Sequence, residues 1–140
     1  VLPNKPLATT ASRAVLPAQY SRADVVANLQ RVAVLTAAFA AGRGNLIAEA
    51  MRDRMHQPYR SEVCPLLPRL LPMSDSEGVL GVALSGAGPA VLILVENEAF
   101  LPRVEGRVKE LTRGFEGIEV ATCKLESRRA EMTASPLQLS

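Results

Sequence analysis

Aromatic side chains are scarce in this sequence, at 4%, and tryptophan is absent. Its Lys and Arg residues number 16 and form no block beside the few aromatics. A nucleic-acid face needs clustered cations and stacking rings, so that class is excluded. There is one histidine, His56, and the two cysteines, Cys64 and Cys123, lie far apart. These are too few ligands, at the wrong spacing, for a zinc site. Both thiols read as free and at least partly buried, which suits a reducing cytoplasm. No apolar run reaches the ~18 residues of a membrane span, and no signal-peptide pattern opens the chain. The net charge of +2 is too small to dictate a partner.

What is present suits a globular domain. The 140 residues are 48% hydrophobic and 21% charged, enough for one core. The chain opens on Val1-Leu-Pro3 rather than on methionine. A fragment whose amino-terminal part is missing is the simplest account.

The informative stretch runs from Gly78 to Val95. Two Val/Leu/Ile-rich runs, Val79–Leu84 and Ala90–Val95, read as buried strands. Between them lie Ser85, Gly86, Ala87, Gly88 and Pro89. Gly86 and Gly88 can take positive φ and admit a ligand or another backbone closely. Successive N–H groups in such a loop form an anion-binding nest. A tight hairpin whose glycines serve only the turn is the plain alternative. No Gly-Lys-Ser/Thr follows, so this is not a Walker A loop. Pro89 and a strand follow instead of a helix, which rules out a dinucleotide fingerprint.

The rest of the chain supplies helices and one more strand. Val1–Leu7 reads as extended, and Thr9 or Thr10 caps a short helical turn that Pro17 stops. Thr9 and Arg13, four apart, share a face of that turn. Ser21 or Asp24 opens the longest helix, to about Ala41, with a broad apolar face that predicts deep burial. Asn28 falls on or beside that face and reads as a satisfied structural amide. Asn45 caps a second helix, to about Met55, and Pro58 ends that helix, leaving His56, Tyr59 and Arg60 on a connection. There His56 capping a helix end and Arg60 pairing with a surface acid are the plain alternatives. A third helical stretch starts at Ser61 or Glu62 and closes at Pro72. Asn97 or Glu98 opens an amphipathic helix, and 118–125 is a last strand. Residues 126–140 read as a loose tail after a domain spanning 1–125. The order predicts an α+β sandwich, with an antiparallel sheet and helices on one face. A ferredoxin-like order needs a strand ahead of the helices, for which Val1–Leu7 is the sole candidate.

Three separated pieces also carry a resemblance. Gly78, Gly81, Ser85, Gly86, Gly88 and Pro89 resemble the third motif of the GHMP small-molecule kinases. Thr9-Thr-Ala-Ser-Arg13 followed by Val-Leu-Pro17, and Asp53-Arg-Met-His-Gln-Pro-Tyr-Arg60, are similar to segments of the homoserine kinase family. The resemblance implies the carboxyl-terminal, ferredoxin-like domain of a two-domain enzyme. Such enzymes move the γ-phosphoryl of ATP to the hydroxyl of L-homoserine, on the route to threonine. The Gly-Leu-Gly-Ser-Ser phosphate loop and the acidic residue near the hydroxyl belong to the other domain and are absent from this sequence.

By the same resemblance, Arg13 and Arg60 line the substrate pocket, with Thr9 as a helper and Gly86 closest to substrate. Ser85, Ala87 and Gly88 shape the nucleotide side. Arginine's planar fork suits the α-carboxylate of an amino acid. No catalytic residue and no metal ligand is assigned within this chain. ATP brings Mg²⁺, whose ligands belong to the missing domain. The implied partners are L-homoserine, ATP, the amino-terminal domain and, as in many members, a second copy. His56 is not assigned a catalytic role. Arg22, Arg31, Arg43, Arg52 and Arg54 read as surface cations. Another GHMP kinase acting on a different small alcohol, or a free-standing module that binds an amino acid, stands as the alternative.

Overall fold

In the computed structural model the described residues are 1–125, so the expected tail at 126–140 lies outside them. Strand β2 (Val79–Leu84) pairs antiparallel with β3 (Val91–Val95), with Val82 opposite Ile93 and Leu84 opposite Val91. Strand β1 (Leu2–Pro3) pairs antiparallel with β4 (Ile118–Glu119). The two ladders meet at one residue pair. The Val1 nitrogen donates to Val91 O at 2.8 Å, and the Val91 nitrogen donates back to Val1 O at 2.9 Å. This mutual exchange is the antiparallel pattern. The spatial order is therefore β4-β1-β3-β2, and Val1–Leu7 does supply the strand that a ferredoxin-like sandwich needs.

Side chains alternate across the sheet, and each face finds its own cover. Val82 and Val91 point into the main core with Leu66, Leu67 and Leu70 of α5 (Leu66–Leu70) and Val104 and Val108 of α6 (Leu101–Leu111). Gly81 points the other way, where a Cβ would run into Met51 Sδ. Helix α3 (Ile47–Ala50) thus packs on the second face over β2, with α2 (Arg22–Ala40) outside it.

Several local expectations change. Helix α2 is not deeply buried: Ala38 is its single buried residue, and Leu29 and Val32 are 66% and 62% exposed. Its apolar residues surround the helix, and α3 covers only one stripe. Helix α2 is also long and apolar enough, by length and composition alone, to cross a membrane, which corrects the expectation that no such stretch exists. Its mid-helix Asn28 and Arg31, however, bond Asp53 and Glu49 of the folded domain. Asn45 does not cap the next helix; it accepts from Arg43 Nε, and α3 stops at Ala50. Pro58 does not end a helix but sits in the first turn of α4 (Gln57–Arg60), where its missing N–H costs nothing. Helix α1 (Thr9–Ala14) starts without a side-chain cap. The last strand holds only to Glu119, and Cys123 beyond it is exposed, whereas Cys64 is buried as expected.

Candidate functional site

Side chain-to-backbone bonds draw α1, α4 and the glycine loop into one corner. Ser12 is fully buried, and its Oγ donates to Ala87 O at 2.6 Å. Arg60 Nε donates to Ser12 O at 3.4 Å, and Nη1 donates to Gly86 O at 3.2 Å. Gln57 Oε1 accepts from the Leu84 nitrogen at 3.0 Å, fastening α4 to the end of β2 just before the loop.

The loop's two glycines do different work. Gly86 has φ +61°, and a Cβ there would meet nothing within 4 Å, so its outer side is open. Gly88 has φ +86°, and a Cβ there would lie 2.7 Å from Cys64 Sγ, so it is closed against the core. Ser85 holds the turn through its backbone, donating to Ala90 O and accepting from Gly88 N. Burial pushes the Cys64 thiol up, and the nearby Arg60 charge only partly opposes this, so Cys64 is a packing group beneath the loop.

A second set of bonds fixes the segment leading into α4. Asp53 Oδ1 accepts from Asn28 Nδ2 at 2.6 Å and from Met55 N at 2.9 Å. Its Oδ2 accepts from His56 N at 2.8 Å and Gln57 N at 2.5 Å. Asn28 Oδ1 accepts from Arg54 N at 2.9 Å, so the amide is satisfied on both sides, as expected of a structural Asn. Burial alone would raise the Asp53 pKa, but the bonds from Asn28 and the three backbone N–H groups outweigh it and hold the pKa below its ordinary value.

A cleft of about 330 Å³ opens beside this corner. Leu35, Met51 and Ala83 form an apolar wall, while Arg31, Arg60 and Gly86 contribute polar groups. Among the described residues Arg60 Nη2 makes no hydrogen bond, so the guanidinium keeps donors in reserve. Such a cleft suits a small molecule with an anionic end and a short aliphatic stem.

The structure thus unites Arg60, Gly86 and Ala87, with Gly88 beneath them. Thr9 and Arg13 sit on the exposed side of α1 and do not line the cleft. Among the described residues the Arg13 side chain makes neither a hydrogen bond nor an ion pair, although the neighbouring Ser12 carbonyl receives Arg60. His56 lies with Nδ1 3.4 Å from Asp53 Oδ1 and is half exposed. Arg31 is not a plain surface cation: its side chain is mostly covered and pairs with Glu49 at 3.2 Å. Sequence reasoning missed Ser12, Gln57 and the part Asp53 plays as acceptor for the nitrogens that open α4. An Asp shortly before a Gln-Pro pair is a helix-start signal that marks the last of these. Nothing in the sequence marks Ser12. Among the described residues no group of three His, Cys, Asp or Glu side chains could hold a metal, so no step is assigned to one here.

The domain is thus an antiparallel sandwich whose β2–β3 turn is a glycine loop, with an arginine clamped across it. The family described as GHMP kinases, C terminal, matches residues 35–112, so the chain belongs to the GHMP kinases, as their carboxyl-terminal domain. It is 49% identical over 96 residues to the homoserine kinase of Solibacter usitatus, covering 69% of this chain and 31% of that protein. It is 46% identical over 99 residues to the homoserine kinase of Schizosaccharomyces pombe, covering 67% and 29%. The homoserine kinase of Aquifex aeolicus is 34% identical over 129 residues, covering 91% and 42%. The crystal structure of a homoserine kinase from Cytophaga hutchinsonii shares the fold, with a TM-score of 0.74 and 24% identity over 81% of this chain and 36% of its own. The chain therefore spans roughly a third of the length of the curated relatives it matches.

Proposed function

We propose that this chain is the substrate-binding, carboxyl-terminal half of a homoserine kinase, which moves the γ-phosphoryl of ATP to the side-chain hydroxyl of L-homoserine. The observation that carries this reading is the Arg60 guanidinium bonded to Ser12 O and Gly86 O, because it unites both arginine segments with the glycine loop. The names of the relatives supply the substrate. Arg60 takes the α-carboxylate, the cleft's apolar wall takes the short methylene stem, and Gly86 leaves room for the reacting end. Arg13 and Thr9 are assigned to the α1 side of the substrate, next to the Ser12 carbonyl that Arg60 meets. Ser85, Ala87 and Gly88 support the nucleotide side. Positioning and positive charge are what this half contributes to phosphoryl transfer. The ATP cradle and the Mg²⁺ ligands come from the other domain. We further propose that the enzyme works in the cytoplasm, where ATP and free thiols coexist, and that two copies associate.

Kinetics of the complete protein test this. Arg60→Ala is expected to raise the homoserine KM roughly ten- to a hundredfold, the equivalent of ~1.5–3 kcal/mol for a lost charged hydrogen-bonding partner. The ATP KM is expected to stay within about twofold, since Arg60 binds the other substrate. Unchanged homoserine kinetics would remove Arg60 from the site. A coupled ADP assay across small alcohols that found another acceptor preferred over homoserine would move the enzyme elsewhere in the superfamily.

A further inference from the structure

We infer that Asp53 is a positioning residue for Arg60, acting through the single turn of α4; this rests on the reading of Arg60 as the substrate arginine. Helix α4 has only four residues, Gln57 to Arg60. A one-turn helix has no stability of its own to spare, because nucleation fixes several residues for the first hydrogen bond. What holds its first turn therefore decides where its last residue points. Asp53 holds that turn through the His56 and Gln57 nitrogens. Gln57 then ties the turn to Leu84, and Arg60 N donates back to His56 O at 3.0 Å. Asn28 fixes the carboxylate from α2. The chain of contacts runs Asn28, Asp53, the first turn of α4, Arg60.

An acid lining the cleft would ordinarily repel an anionic substrate. Here the Asp53 oxygens already accept four hydrogen bonds, from Asn28, Met55, His56 and Gln57. A carboxylate has about four acceptor sites, so this one is filled. Asp53 makes neither an ion pair nor a hydrogen bond with Arg60 among the described residues, and it leaves the guanidinium uncommitted. The arrangement turns an acid into a structural acceptor and leaves the arginine for substrate.

A double-mutant cycle in the complete protein tests this. Asp53→Ala is expected to raise the homoserine KM about tenfold while the ATP KM moves less than about twofold. Asp53→Asn, which keeps one accepting oxygen but turns an NH2 towards two of the four donors, is expected to recover only part of the loss. In an Arg60→Ala background, Asp53→Ala is expected to add nothing further. Equal movement of both KM values, or single effects that simply multiply in the double variant, would reduce Asp53 to a stability residue. Should Asp53→Ala fail to fold, Asn28→Ala, which withdraws one partner, is read in the same cycle with a change of about threefold in the same direction. If Arg60→Ala raises the homoserine KM and neither the Asp53 nor the Asn28 variant does, this inference fails alone. If Arg60→Ala itself leaves the homoserine KM unchanged, the inference falls together with the assignment of Arg60.

Discussion

Helices α2 and α6 make opposite use of their apolar residues. Helix α6 spends eleven residues to turn Val104 and Val108 into the core, and the rest of its surface is largely charged. Helix α2 is longer, at nineteen residues, and carries apolar residues around its circumference. Yet Val26, Leu29, Val32, Val34 and Phe39 all stand exposed. Its attachment to the domain is polar at the centre, through Asn28 to Asp53 and Arg31 to Glu49. In α6 the contrast between faces leaves one way to dock. In α2 there is little contrast, so the side that faces the domain is selected by hydrogen bonds. Helix propensity and capping make a stretch helical; sidedness decides what it buries.

The sharpest test of this contrast is in α6. Val108 is 1% exposed at the centre of the core. Val108→Ala should cost the chain about 2 kcal/mol in chemical denaturation, from lost transfer energy and a residual cavity. A cost under about 0.5 kcal/mol would mean that α6 is not the anchored helix of the pair.

A smaller effect is expected from acid, acting on the polar anchor of α2. The Asp53 pKa in the native chain lies below its ordinary value of 3.8, so the unfolded chain takes up the proton first. The stabilisation is complete above that ordinary value and is lost as pH falls through the lowered native one. His56 Nδ1 lies 3.4 Å from the same carboxylate, and the Arg54 guanidinium faces Asp24 at 3.8 Å. Denaturation midpoints measured from about pH 5 down to about pH 2 should show the parent chain ahead of Asp53→Asn at the upper end, with the gap closing towards the lower. A gap that stays constant would show that charge at Asp53 contributes nothing to holding α2.

The parts of the fold that the sequence reveals are those with one strong signal. Two continuous apolar runs, around a glycine loop, marked the hairpin of Val79–Leu84 and Val91–Val95, and the spacing of Val104 and Val108 marked α6. Pro58 misled because proline stops a helix from inside and starts one from its first turn; the acceptor that chose between these, Asp53, is local, three and four residues before the nitrogens it takes, and favours the start. Residues 120–125 carry a strand pattern, but the β1–β4 ladder ends at the pair Leu2–Glu119. In the candidate site, the motifs single out Arg60 and Gly86, and only the structure shows their direct bond. Ser12 could not be found at all: a serine among Thr, Ala and Arg looks like surface, and only the return of Ala87 from 75 positions away buries it.

The smallest predicted effect probes the exposed side of α2. Leu29 is 66% exposed, so truncation removes little area from the folded chain that the unfolded chain does not also expose. Leu29→Ala in the 140-residue chain should therefore change stability by no more than about 0.5 kcal/mol, with alanine's helix propensity offsetting part of any loss. The side chain is larger than Val108, yet its removal should cost several times less, because water already reaches it. A loss above about 1 kcal/mol would show that Leu29 is covered in solution, by a second copy or by another part of the chain. Dilution separates the two, since only association with a second copy makes the loss depend on protein concentration.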